Sequence, residues 1–299
     1  MTGFTVIGGY ASEDLAKRIA KRLGAKYIKT DLRTFPDGES KVTIRGNLKG
    51  IPIIVQSTAS PVDSNLIQAL SLISKAKKRS AQVYAIIPYM GYAKQDKEFL
   101  PGEIVTISVV ADLFKAAGAT RLIVIDIHSL IGLNYFKMPK KNVSAVPLLA
   151  NYFKKIKLNY PLIVSPDLFW AKKATEFANI LGAKSIALNK QRNRMTGKLV
   201  IKSSRPKIIK GQDVILLDDM VSSGGSIIKA IQFLKRKNFG KIYVACTHAV
   251  LSGDAERKLK KAGVFKIIST NAVCGKTNKV DVSGIIAEAI KNWQSSKDI

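Results

Sequence analysis

Short β-rich runs alternate with helical patterns along all 299 residues of this chain, and that alternation limits its fold more than any other feature. Strand candidates lie at 4–8, 52–56, 82–87, 121–125, 162–165, 185–188, 213–217 and 241–246. Helical spacing covers 13–23, 64–76, 104–117, 146–155, 171–181, 226–236 and 285–293. Strands alternating with helices imply βαβ units and parallel sheets. The expected class is therefore α/β, and the length suits about two domains. A weak internal repeat points the same way. Asp112-Leu-Phe-Lys leads to Leu-Ile-Val-Ile-Asp-Ile-His128 over the same length as Gln232-Phe-Leu-Lys leads to Ile-Tyr-Val-Ala-Cys-Thr-His248. Each copy is a helix end, a turn and a strand closing on His. Two similar halves are expected, 1–145 and 146–299, joined through 142–147, with the last helix free to pack back on the first half.

The most informative single segment is Val214-Ile-Leu-Leu-Asp-Asp-Met-Val-Ser-Ser-Gly-Gly-Ser226. An apolar strand turns acidic at Asp218 and Asp219. It then becomes a Ser/Gly loop in front of a helical run. Such a loop offers backbone N–H groups and hydroxyls to an anion. The two carboxylates disfavour a second phosphate but accept hydrogen bonds from a diol. The ligand that fits is a sugar phosphate. Helix capping would account for one Asp or Ser, not for the acid pair and four small polar residues together.

Bulk properties narrow the classes. No apolar run reaches the roughly 18 residues of a membrane span, and the N-terminus lacks the basic region of a signal peptide. A cytoplasmic protein with no membrane partner is expected. Cys246 and Cys274 are the only cysteines and have no CxxC spacing, which favours reduced core thiols over a disulfide or zinc site. The net charge is +28, from 49 basic and 21 acidic residues. That suits anionic ligands in general. The bases are scattered along the chain, many on helix faces such as Lys17, Arg18, Lys21 and Arg22. They read as solvated faces, and a nucleic-acid partner is not expected.

Other segments could carry chemistry. Phe35-Pro-Asp-Gly-Glu39 is a turn showing two acids beside an aromatic ring. Lys94, Gln95 and Lys97 follow a predicted strand end, where ligands bind in α/β sheets. His128, beside Asp126, ends another strand and suits metal or phosphate contact; His248 lacks the acid and reads as structural. Asp167 ends a third strand and is either an N-cap or a Mg²⁺ ligand, since Mg²⁺ takes one or two carboxylates plus substrate phosphates. Asn189-Lys-Gln-Arg192 opens a run with eight basic and no acidic residues from Lys190 to Lys210. That run, with a short hairpin arm near 199–201, suits either nucleic acid or a lid over phosphates. Gly275-Lys-Thr277 lacks the first Gly of a Walker A loop, and Gly8-Gly9 completes no dinucleotide fingerprint.

Taken in order, these segments resemble the ribose-phosphate pyrophosphokinase family across essentially the whole chain, and its shorter archaeal members most closely. Val55-Gln-Ser-Thr58, Asn65-Leu66, Thr247-His248, Ser252-Gly253 and Thr270-Asn271 match as well. The resemblance implies two phosphoribosyltransferase-like domains, each a mostly parallel sheet flanked by helices, the first on the ATP side and the second carrying the ribose 5-phosphate loop. It implies transfer of the β,γ-diphosphate of MgATP to the 1-hydroxyl of ribose 5-phosphate. Phe35, Asp37, Gly38 and Glu39 would hold adenine from a neighbouring subunit, so at least a homodimer is implied. Lys94, Gln95 and His128 would contact ATP, and His128 and Asp167 would position Mg²⁺. Lys190 and Arg192 would be catalytic lid residues, Arg192 also reaching the sugar. Asp218 and Asp219 would bind the ribose hydroxyls, and Ser222, Ser223, Gly224, Gly225 and Ser226 the 5-phosphate. Two departures stand out. Leu168-Phe169-Trp170 follows Asp167 where the family has small residues, and Lys94 stands where Arg is usual, without its bidentate fork. A phosphoribosyltransferase, or a non-catalytic nucleic-acid-binding or regulatory member of the fold, are the alternatives.

Overall fold

The computed structural model describes residues 3–192, 199–202, 209–234 and 238–295; for 189–192, 199–202 and 294–295 the backbone alone is described. The chain forms two units. The first comprises 1–144, 272–274 and 282–299, and the second 145–271 and 275–281.

In chain order the first unit contains β1 (Phe4–Gly8), α1 (Glu13–Leu23), β2 (Lys26–Thr34), β3 (Ser40–Ile44), β4 (Ile51–Val55), α2 (Val62–Lys77), β5 (Tyr84–Ile87), α3 (Thr106–Ala117), β6 (Arg121–Ile125), α4 (Leu130–Asn134) and β7 (Lys140–Val143). Its sheet has the order β3-β2-β1-β4-β5-β6-β7. All neighbours pair parallel except β3, which forms an antiparallel hairpin with β2. Helices α2, α3 and α4 cover one face, where Leu72, Ile73, Phe114 and Phe136 are fully buried or nearly so. The other face receives α1 through Leu15, Ala16, Ile19 and Ala20.

The second unit runs α5 (Val146–Phe153), β8 (Leu162–Ser165), α6 (Ala171–Leu181), β9 (Lys184–Ala187), β10 (Asn189–Arg192), β11 (Leu199–Lys202), β12 (Val214–Val221), α7 (Gly225–Leu234), β13 (Ile242–Ala249), α8 (Ala255–Ala262), β14 (Val264–Thr270) and β15 (Asn278–Val280). Six strands form one parallel sheet ordered β15-β14-β13-β12-β8-β9, while β10 and β11 make a separate antiparallel ribbon. Both faces are covered: α7 and α8 pack on one, α5 and α6 on the other. All eight residues of β12 are buried, as are all eight of β13. That is why the two central strands carry long apolar runs instead of alternating.

The chain ends in the first unit, with α9 (Ser283–Ser295) against α1. The Arg22 Nε donates to Ser283 Oγ at 2.7 Å. Trp293 meets the Tyr84 ring edge-on at 5.6 Å and lies 5.3 Å from the Arg121 guanidinium and 4.8 Å from Lys141 Nζ. Lys141 Nζ also donates to Ala289 O at 3.1 Å.

Several expectations need correction. β2, β3, β7, β10, β14 and β15 have no counterpart among the strand candidates, and β11 was expected only as a short hairpin arm. β7, Lys-Lys-Asn-Val, is an edge strand too short and polar to show a hydrophobic pattern. It takes the first half of the expected 142–147 connection, and α5 takes the second. β6 stops at Ile125, so His128 lies three residues past its strand, whereas His248 sits inside β13. Cys246 is buried, but Cys274 is exposed and is no core thiol. Among the described residues, no helix is long and apolar enough to cross a membrane.

Removing Trp293 deletes a buried ring and three aromatic or cationic contacts. Trp293→Ala should therefore destabilise the protein by about 3–5 kcal/mol, read as a lower urea midpoint at unchanged slope.

Candidate functional site

The Val214–Ser226 segment folds as a buried strand end, a tight loop and a helix start. Asp218 and Asp219 fall near the C-terminal end of β12, which is hydrogen-bonded to β13 along its length and to β8 at its start. Both side chains are buried, and the backbone N–H of Asp219 donates to Asp218 Oδ1 at 3.0 Å. Burial, then the adjacent charge of Asp219, and then that of Asp167 push the Asp218 carboxyl well above the ordinary carboxylate range. Three acids thus share one electrostatic environment at the C-terminal edge of the second sheet. The cluster favours whatever brings hydrogen-bond donors or positive charge to it.

Ser223, Gly225 and Ser226 are exposed beyond the acids, at the N-terminus of α7. The loop is pinned from one side. Leu251 N–H donates to Val221 O at 2.9 Å, Ser252 N–H to Ser222 O at 3.2 Å, and the Ser222 and Ser252 hydroxyls lie 3.1 Å apart. Gly224 has φ +78°, and a Cβ there would come within 3.1 Å of the Leu259 side chain. Only glycine makes that turn and keeps α8 close.

Asp167 heads the turn before α6. Its Oδ1 accepts from Phe169 N–H at 3.0 Å and from Trp170 N–H at 3.4 Å. It closes that turn, while Trp170 itself is the residue before the helix. Within the unusual Leu168-Phe169-Trp170 sequence only Trp170 has a packing account: it is 5% exposed and belongs to the core with Phe153 and Phe177, whereas Leu168 and Phe169 are exposed.

In the first unit, residues 94–96 and 126–129 follow the parallel neighbours β5 and β6. Lys94 and Gln95 are exposed. Gln95 is held by the start of α3, with Thr106 Oγ1 donating to its Oε1 at 2.6 Å and Ile107 N–H to its carbonyl at 3.4 Å. Asp126 adopts φ +37°; its N–H donates to Val143 O at 3.0 Å, and Ile127 N–H donates to Asn142 Oδ1 at 3.0 Å. His128 is half-buried on this fastened turn. The two loops are joined by a pair that spacing alone does not reveal: the Ser129 hydroxyl donates to the buried Asp96 carboxylate and accepts from Gly132 N–H at 3.1 Å. The two residues are 33 apart in the chain, so no local signal could have found the pair.

The Phe35–Glu39 segment is the turn of the β2–β3 hairpin. Phe35 N–H donates to Glu39 O and Gly38 N–H to Phe35 O, each at 2.9 Å, and Gly38 has φ +93°. Glu39 N–H donates to Asp37 Oδ1 at 3.1 Å, and the Arg33 guanidinium sits 4.8 Å from the Phe35 ring. Lys190 and Arg192 lie in β10, opposite Ile201 and Leu199 of β11. Their side chains are outside the described residues, as are 193–198 and 203–208 of the basic run. Phe35, Asp37, Gly38, Glu39, Lys94, Gln95 and His128 therefore belong to the first unit, and Asp167, Asp218, Asp219 and 222–226 to the second. Among the described residues, no three His, Cys, Asp or Glu side chains form a ready-made metal cage.

A parallel sheet whose acidic strand end runs into a Ser/Gly helix start defines the phosphoribosyltransferase-like class. Comparison with known proteins narrows this. A family model for the N-terminal domain of ribose phosphate pyrophosphokinase matches residues 4–118, and one for the phosphoribosyl synthetase-associated domain matches 206–298. The ribose-phosphate pyrophosphokinase of Methanobrevibacter smithii is 33% identical over 297 residues, covering 96% of this chain and all of the relative. That of Methanopyrus kandleri is 35% identical over 280 residues, covering 93% and 95%. The crystal structure of phosphoribosylpyrophosphate synthetase from Mycobacterium smegmatis superposes with a TM-score of 0.84 at 27% identity, covering 98% of this chain and 99% of that one. The chain belongs to the ribose-phosphate pyrophosphokinase family.

The raised Asp218 carboxyl has a consequence for stability. Its folded-state pKa exceeds the unfolded value near 4, so the folded protein loses stability as pH rises from that value through the folded one. An amide at this position escapes the loss. Asp218→Asn should melt at a higher temperature than the parent at pH 8, with the gap closing towards pH 4. An equal or lower melting temperature at pH 8 would contradict this.

Proposed function

We propose that the chain transfers the β,γ-diphosphate of MgATP to the 1-hydroxyl of ribose 5-phosphate, giving 5-phosphoribosyl 1-diphosphate and AMP. The observation that carries this reading is the buried Asp218–Asp219 pair running into a Ser/Gly helix start at which Ser223, Gly225 and Ser226 are exposed. The loop's N–H groups and hydroxyls suit the 5-phosphate, and the acids suit the ribose hydroxyls. A diol donates to carboxylates and relieves their mutual repulsion, where a second phosphate would worsen it.

On the donor side, Phe35, Asp37, Gly38 and Glu39 offer a ring face, carboxylates and a turn backbone for an adenine, contributed to a neighbouring copy in an assembly of at least two chains. Lys94 meets phosphate as a point charge, and Gln95, fixed by Thr106, orients it. His128 completes the donor contacts. Lys190 and Arg192 supply charge to the oxygens of the transferred group. As the 1-hydroxyl oxygen bonds to the β-phosphorus, its proton is lost. The bond from that phosphorus to the oxygen bridging the α- and β-phosphates breaks, and AMP departs with that oxygen. Positioning and electrostatics supply most of the rate enhancement in such transfers.

The residues fit a magnesium ion. Asp167 offers a carboxylate beside the electron-rich Asp218–Asp219 pair, and Mg²⁺ completes its octahedron with phosphate oxygens and water instead of a full protein cage. His128 would hold the ion through water or substrate. When bound, the ion neutralises phosphate charge. The cytoplasm, which supplies both substrates, is the compartment this activity requires.

Incubation with ribose 5-phosphate, ATP and Mg²⁺ should yield AMP strictly dependent on the sugar; ADP in its place, or no turnover, sinks the reading. Lys190→Ala should lower turnover by about 10²-fold or more without changing the melting temperature. Near-normal turnover would take Lys190 out of the catalytic role.

A further inference from the structure

The +28 net charge is far more than binding two phosphorylated substrates requires, and the fold gathers part of it in one place. In the first unit, β2, β1, β4, β5, β6 and β7 are parallel, so all six begin at the same edge of the sheet. The helices that lead into β2, β5 and β6 end at that edge too. The segments that form it are 20–27, 46–52, 74–84, 115–122 and 135–141. Together they contain thirteen Lys or Arg and no Asp or Glu. Most of the unit's acids lie elsewhere: Glu13, Asp14 and Asp63 sit in the first turns of α1 and α2, Asp31 lies within β2 and pairs with Arg45, Asp112 lies inside α3, and Asp37, Glu39, Asp96, Glu98, Glu103 and Asp126 lie in the loops that follow strand ends; Glu288 is on α9, which packs against Arg22, Arg121 and Lys141.

Helix-end lysines are partly explained by the helix dipole. Lys21, Lys77 and Lys115 fall in last turns and fit that account. Lys78 caps the end of α2 and fits it as well, whereas Lys26, Lys49, Arg79 and Lys137 lie outside helices and do not. All eight are exposed, and none forms an ion pair with a described residue. From β2 to β7 the array crosses five strand spacings, about 24 Å. That length matches about seven base pairs of duplex, which carries a charge every ~1.7 Å. No large apolar side chain is exposed in these segments. The edge therefore has no wedge to insert into a bilayer and no aromatic platform for stacking single-stranded bases.

We infer that this strand-start edge of the first unit is a sequence-independent binding surface for double-stranded nucleic acid, contacting phosphates only. It is independent of the proposed reaction, whose residues lie at the other edges of the strands or in the second unit.

The test uses the full-length protein and a fluorescent 20-base-pair duplex of arbitrary sequence, titrated by anisotropy between 50 and 300 mM KCl. Each phosphate neutralised contributes about −0.9 to the slope of log affinity against log salt. A slope steeper than about −3 is expected, as four or more contacts require. The variant Lys77→Glu/Lys78→Glu/Arg79→Glu should lose at least about tenfold in affinity and flatten the slope. Lys26→Glu/Lys49→Glu, on different elements of the same edge, should weaken binding in the same direction. Both should form AMP within about twofold of the parent rate, if the parent forms it. Lys258→Glu/Lys261→Glu/Lys276→Glu changes net charge equally in the second unit and should bind like the parent. The inference is overturned if this control loses as much affinity as the edge variants, if the parent shows no salt-dependent binding, or if phosphatidylserine vesicles displace the duplex at equal accessible charge.

Discussion

Parallel strand pairing is the constraint on which the rest of this molecule depends. A parallel strand cannot be joined to its neighbour by a tight turn, so the chain must cross over through a helix each time. Every crossover leaves one edge of the sheet holding strand ends and helix starts, and the other holding helix ends and strand starts. The acid pair and phosphate-type loop of β12–α7, the Lys94–Gln95 loop after β5 and the His128 turn after β6 all occupy the first kind of edge. Helix starts there offer partial positive charge and free N–H groups. The second kind of edge gathers the cationic helix ends. One topological rule sorts both features in the first unit, and in the second it places the acid pair and the Ser/Gly loop at the same kind of edge.

The acids at the end of β12 carry electrostatic tension. Asp218 is buried beside Asp219 and within reach of Asp167, an arrangement that costs stability. Hydrogen bonds from Leu251 and Ser252 and the close packing of Gly224 on Leu259 hold the neighbouring loop rigid enough to maintain it. Under the proposed function, a ligand that relieves this repulsion would be favoured over one that adds to it.

Much of this was legible in the sequence, for stated reasons. Central strands such as β12 and β13 are buried on both faces and so show unbroken apolar runs. Edge strands such as β7 and β15 bury little and show none. The Phe35–Glu39 turn was visible from its Pro and Gly, but the flanking β2 and β3, polar and half-exposed, were not. The Asp96–Ser129 hydrogen bond joins residues 33 apart and leaves no local pattern. The distribution of charge was hidden for another reason. Lysines spread evenly along the chain look like ordinary solvated faces, and only the strand order shows which of them share an edge.

The return of α9 to the first unit bears on biosynthesis. Trp293 closes over Tyr84, Arg121 and Lys141, more than 140 residues after the last strand of that unit. Domains of a growing chain usually complete in order from the N-terminus. Here the second unit has all its strands before the first has its final helix. The N-terminal unit is begun first and finished after the second, so synthesis must pass residue 293 before α9 can cover α1 and the Tyr84 ring.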